Sequence, residues 1–140
     1  MSVTFLSAIF GVVLILVILW DAFETIVLPR RVTRRVRLTR FFFWYTWLPW
    51  SALVRLIVSG KRQETYLGFY GPLSLLLLLI VWATGLIFGF ALLQWANGSA
   101  IIGAGGIPNL RTDLYLSGTT FFTLGLGDVI PRTPMARALT

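Results

Sequence analysis

Near the C-terminus, Thr119–Pro131 reads TTFFTLGLGDVIP, the densest run of chemically useful groups in the chain. Thr123 offers a hydroxyl, Gly125 and Gly127 stand one residue apart, and Asp128 supplies a carboxylate. Glycine reaches positive φ without steric penalty. Alternating left- and right-handed residues turn successive carbonyls the same way. Copies of such a loop around one axis would stack the carbonyls of Thr123, Leu124, Gly125, Leu126 and Gly127 into rings of oxygen. Rings of that kind replace the hydration shell of a cation. The Thr123 hydroxyl adds ligands at one end, and Asp128 at the other end concentrates cations. Pro131 turns the chain away.

Such a loop needs elements that hold it. The spacing predicts a short helix over 112–122, capped by Thr112, with Asp113 in its first turn, where the helix dipole favours negative charge. Thr119 and Thr120 lie on it. At 1.5 Å per residue it is too short to cross a membrane, so it re-enters and turns back or lies at the surface. Its C-terminal end carries partial negative charge that suits a cation cavity. Before it comes a glycine-rich loop over 97–111. Asn97-Gly98-Ser99 fits a glycosylation sequon, a match that three residues often make by chance. Ile101–Gly106 has the glycines of a dinucleotide-binding turn but lacks the following helix that would hold a pyrophosphate.

Composition supplies the setting. Of 140 residues, 57% are hydrophobic and 12% charged, and no charged residue occurs between Glu64 and Arg111. About a quarter of an ordinary soluble domain is charged, so this is a membrane chain. Histidine and cysteine are absent, which removes the commonest general base, thiolate metal sites and disulfides. No constellation supports catalysis, and no cofactor is implied. The stretch 71–96 is the clearest span, and its Gly85–Gly89 pair forms a GxxxG face for close helix approach. The stretch 3–28 is a second, uncleaved span.

Nine of the twelve basic residues lie between Arg30 and Arg62. Arg30, Arg31, Arg34, Arg35, Arg37 and Arg40 form a cluster suited to anionic headgroups on the cytoplasmic side, which puts the N-terminus outside. Nucleic acid is not the expected partner of this charge. The aromatic segment 41–60, broken by Pro49 and Arg55, is expected to lie along the inner surface as an amphipathic helix, with a tight helical hairpin or a third span as the alternative. Asp21 and Glu24 share a helix face near the inner boundary of the first span. They are candidate intramembrane acids. Snorkelling or pairing with Arg30, Arg31 and Arg34 is the expected account, and a metal-binding pair is the alternative.

A span, an external loop, a short helix and T-x-G-x-G-D with proline three residues on resemble the pore-loop potassium channel family. The motif lies at Thr123–Asp128 and Pro131, Thr120 matches a threonine of the family's pore helix, and the resemblance covers roughly 71–140. It implies a homotetramer whose loops hold potassium at Thr123, Leu124, Gly125 and Leu126. This sequence has Leu126 where the family usually carries tyrosine or phenylalanine, and Phe122 where it carries threonine or valine. The family also follows its filter with an inner helix, whereas nine residues follow Pro131 here, so the chain is expected to be a fragment.

The expected fold is therefore an all-α membrane protein. It has two transmembrane helices, an interfacial amphipathic helix, and a re-entrant pore helix with a selectivity-filter loop. The organisation expected is 1–29, an N-terminal span; 30–70, a basic cytoplasmic and interfacial segment; and 71–140, a partial pore domain with its filter over 123–128. The expected function is passive cation conduction in the cell membrane. A non-conducting membrane subunit, binding partner helices and anionic lipid, is the alternative.

Overall fold

The computed structural model of the chain describes residues 3–27, 38–57, 62–99, 101–103 and 109–140. The elements run in the order α1 (Val3–Ile26), α2 (Leu38–Ile57), α3 (Arg62–Gly68), α4 (Tyr70–Ala96), β1 (Ile101–Gly103), α5 (Leu110–Phe121), β2 (Val129–Pro131) and α6 (Pro134–Ala138). This is an all-α membrane protein with one small ribbon. The 24 residues of α1 and the 27 of α4 are each long and apolar enough to cross a bilayer. Both leave large apolar side chains uncovered, among them Phe10, Leu16, Leu76 and Ile80. Water would not tolerate that much apolar surface, whereas lipid does.

Contacts divide the chain into two compact units, Met1–Leu19 with Ala83–Thr140, and Trp20–Trp82. In the first, α1 and α4 meet along glycines. A Cβ placed on Gly11 would lie 2.9 Å from the Gly89 carbonyl oxygen. One on Gly89 would lie 2.6 Å from Ile15 Cγ1 and 3.4 Å from the Gly11 carbonyl oxygen. Gly85 faces Ile18, itself buried. The GxxxG face read from the sequence thus packs within the chain, against α1, and backbone-to-backbone dispersion replaces side-chain contact. Ala91, Leu92, Ile101, Leu116 and Ala136 complete this unit's buried apolar set.

An antiparallel ribbon, absent from the sequence-based reading, sits in the same unit. It pairs Ile101 with Pro131, Ile102 with Ile130 and Gly103 with Val129. Strands of three residues carry too little alternation to be legible. Beside it, the Thr133 hydroxyl accepts from the Ala136 N–H at 3.1 Å and starts α6.

The second unit is organised by polar side chains. Asp21 is buried, and its carboxylate accepts from the Thr39 hydroxyl at 2.7 Å, the Thr39 N–H at 3.3 Å and the Trp82 indole at 3.0 Å. Thr39 lies in the first turn of α2, so Asp21 satisfies a helix-end donor that has no partner within its own helix. Glu24, also buried, accepts from the Trp20 indole at 2.8 Å. The expected pairing with Arg30, Arg31 and Arg34 falls outside the described residues, as do Arg35 and Arg37. Arg40 lies within α2. No trio of metal-binding side chains forms among the described residues. Farther along α2, the Tyr70 hydroxyl bonds the Phe43 carbonyl oxygen at 2.9 Å, and the Trp47 and Tyr70 rings meet edge-on at 4.8 Å. Pro49 sits inside α2 and offers no N–H to the Tyr45 carbonyl.

The glycine contact is directly testable. Gly89→Val is expected to destabilise the chain by about 1–3 kcal/mol through overpacking against Ile15. Gly118→Ala, whose new Cβ meets nothing closer than Ile87 Cγ2 at 3.9 Å, is expected to be neutral or stabilising. Thermal melts of both variants in the same detergent compare them.

Candidate functional site

The twelve residues of α5 lead directly into the TLGLGD loop. The helix begins two residues before the expected start. Its cap is Asn109 and not Thr112: the Asn109 Oδ1 accepts from the N–H of Arg111 at 3.0 Å and of Thr112 at 3.1 Å. Thr112 sits inside the first turn and donates its own hydroxyl to the same oxygen at 3.3 Å. Asn109 wins because its extended backbone, φ −148°, aims the amide oxygen back at both donors.

Helix α5 ends in a Schellman turn. The Leu124 N–H bonds the Thr119 carbonyl oxygen at 2.8 Å, and the Thr123 N–H bonds that of Thr120 at 2.9 Å. The residue in the left-handed position is Thr123, at φ +55°. Glycine is usual there, and a β-branched residue costs about 1–2 kcal/mol. Such strain persists only where surrounding structure enforces it, and it clusters at functional sites. The Thr123 hydroxyl donates to the Phe122 carbonyl oxygen at 2.7 Å and keeps its acceptor lone pairs. Of the other threonines, Thr119 donates to Leu116 O at 3.0 Å. Thr120 lines a cavity of about 250 Å³ with Ile87, Phe90, Ser117 and Phe121.

Beyond Thr123 the backbone alternates. Gly125 has φ +53° and Gly127 φ +74°, while Leu124 and Leu126 stay out of the left-handed region. The left-handed positions are therefore 123, 125 and 127. No heavy atom lies within 4 Å of where a Cβ would stand on Gly125 or Gly127, so backbone conformation and not crowding calls for glycine. The loop is exposed throughout, and Leu124 and Leu126 are 60% and 61% accessible.

Three ties fix this loop to the body of its unit. The Tyr115 hydroxyl, on α5, donates to Asp128 Oδ2 at 2.8 Å. The β1–β2 ribbon holds the residues that follow Asp128. The fully buried Gln94, near the end of α4, donates its amide to the Ala136 carbonyl oxygen at 2.8 Å. The sequence-based reading identified Asp128 but not Tyr115, Gln94 or Ser99. Tyr115 and Gln94 carry no local pattern that marks them. Ser99 looks like the third residue of a chance sequon, yet its hydroxyl is buried and bonded to Asp113 at 2.5 Å.

Asp128 is exposed, and its bond from Tyr115 raises the phenol's pKa above the ordinary value, with smaller help from desolvation and from the carboxylate's charge. Asp128→Asn is expected to lower the Tyr115 pKa toward that of a free tyrosine. Ultraviolet titration of tyrosinate, with Tyr115→Phe subtracted, reads the change; an unmoved titration would mean that the bond does not form in solution.

Comparison with known proteins bears on the same stretch. A family model described as ion channel matches residues 75–140, from within α4 through the loop to the last residue. No curated protein and no solved structure matches the chain. The matched segment contains the capped short helix, the alternating loop and the ties around it. The match over residues 75–140 supports a pore-loop channel family for this membrane protein, through a two-transmembrane-type pore domain.

Proposed function

We propose that this chain forms a passive potassium-conducting pore as a homotetramer, with the Thr123–Gly127 carbonyls dehydrating the ion. The observation that carries the reading is the alternation of left-handed residues at Thr123, Gly125 and Gly127, in an exposed loop at the end of a capped helix. Peptide groups in that alternation turn their oxygens to one side, and a ring of such loops offers a cation oxygens in place of water. In this reading 71–96 is the outer helix, 112–122 the pore helix and 123–128 the filter. Thr123 supplies hydroxyl ligands, and Asp128 raises cation concentration at the outer mouth.

The exposed Phe122, Leu124 and Leu126 favour neighbouring copies. A loop with three large apolar side chains bare to water is costly, and burial between subunits removes that cost. Leu126 has no hydrogen-bonding group with which to brace the filter sideways, so the bond from Tyr115 to Asp128 provides the bracing in this chain. The chain lies in the cell membrane with its N-terminus outside. Arg30, Arg31, Arg34, Arg35, Arg37 and Arg40 lie against anionic headgroups on the cytoplasmic side, each worth about 1 kcal/mol.

The test is Gly125→Ala in the full-length protein. Alanine at φ +53° costs about 1–2 kcal/mol per subunit, repeated in every copy around the axis. Potassium flux into liposomes is expected to fall at least about ten-fold, since each 1.4 kcal/mol is worth a factor of ten. Oligomer size by cross-linking is expected to be unchanged. Undiminished flux would remove the filter assignment.

A further inference from the structure

Asp113 has no part in the conduction proposed above, yet it is fully buried in the first turn of α5. One carboxylate oxygen, Oδ2, accepts the Ser99 hydroxyl at 2.5 Å. The other, Oδ1, is buried and has no hydrogen-bond partner. A carboxylate with a bare buried oxygen carries a desolvation cost that its protonated form largely avoids.

Its one partner is also unusual. Ser99 is buried and held at φ +46°, a left-handed conformation that serine seldom adopts. The Ser99 N–H bonds the Gln94 carbonyl oxygen at 3.0 Å, and its carbonyl accepts from the Ile101 N–H at 2.7 Å. Gln94 in turn holds Ala136. Ile101 opens β1, which pairs with the strand that leaves the TLGLGD loop. Ser99 therefore joins the end of α4, the start of α5 and the ribbon beyond the loop. Asp113 is the side chain that holds it there.

We propose that Asp113 is a proton-operated anchor: neutral, it rests in its buried seat and fixes Ser99; ionised, it loosens the tie from α4 and α5 to the β1–β2 ribbon. Its environment agrees. Burial pushes the Asp113 carboxyl up, and the Ser99 bond opposes this only in part. The titratable groups on the surrounding elements are Arg111 and Tyr115 on α5, Asp128 and Arg132 on either side of β2, and Arg137 on α6, all exposed. The parts of α1 and α4 in this unit, and β1, carry no titratable side chain. Among the described residues none of these groups bonds to Asp113, so no cation compensates the buried carboxylate.

The sign follows by linkage. A carboxyl whose pKa is higher folded than unfolded contributes stability at low pH and loses it as pH rises through the folded value. The experiment is a set of thermal melts of the full chain in lipid nanodiscs, from about pH 4 to about pH 8. The wild-type midpoint is expected to fall across this window relative to Asp113→Asn, which keeps the shape but cannot ionise. Ser99→Ala removes the bond that favours the ionised form, so its transition is expected to move to higher pH. A wild-type melting profile parallel to that of Asp113→Asn overturns the proposal, and so does an unmoved transition in Ser99→Ala. The consequence for flux rests on the conduction proposed above. Potassium flux in liposomes is expected to drop with rising pH in the wild type and to stay level in Asp113→Asn. A measurable but pH-independent wild-type flux overturns the coupling. Flux absent from every variant counts against conduction, while the melts still decide the anchor.

Discussion

Unpaired peptide groups are the constraint on which this structure depends. Within hydrocarbon each N–H and C=O needs a partner, so spans are helical and any irregular stretch must be tied down. Residues 122–131 leave the helical ladder, and their surroundings supply the replacements. The Schellman turn satisfies the carbonyls of Thr119 and Thr120, Tyr115 holds Asp128, and a three-residue ribbon receives the chain on the far side. Among the described residues, no backbone bond reaches the run of carbonyls from Thr123 to Gly127 between these ties.

A second set of ties is buried deeper. Gln94, Ser99, Asp113 and Ala136 are all at least nine-tenths buried, and three of them contribute polar side chains. Polar groups of this kind are costly inside a fold unless bonded, which makes them specific: the loop can leave its place only if several bonds break together. Gln94 Oε1 and Asp113 Oδ1 are the incomplete points of the set. The Asp21 group plays the corresponding part in the other unit, where Thr39 and Trp82 converge on one carboxylate.

Much of this was legible from residue order. Val3–Ile26 and Tyr70–Ala96 are predominantly apolar runs, and their helices end within two residues of the expected limits. A short helix before the loop was legible too, because its polar start and apolar body are local features. Its first residue was not, since Asn109 and Thr112 are both competent caps and only backbone geometry selects between them. Ser99 was hidden for a different reason: its partner Asp113 lies fourteen residues away, beyond any local pattern.

By itself, then, the sequence determined the solvent of this protein, the number of its long apolar helices and the place of the glycines. Those properties follow from composition and from what each residue permits its own backbone. Tertiary structure decided the rest. It chose α1 as the partner of the Gly85–Gly89 face, put threonine in a left-handed turn, and gave Tyr115, Gln94 and Ser99 their bonds. Apart from the threonine turn, which its own local bonds close, those outcomes depend on atoms distant in the chain coming close to one another. Distance of that kind is set by the packing of whole helices and is written in no single stretch of residues.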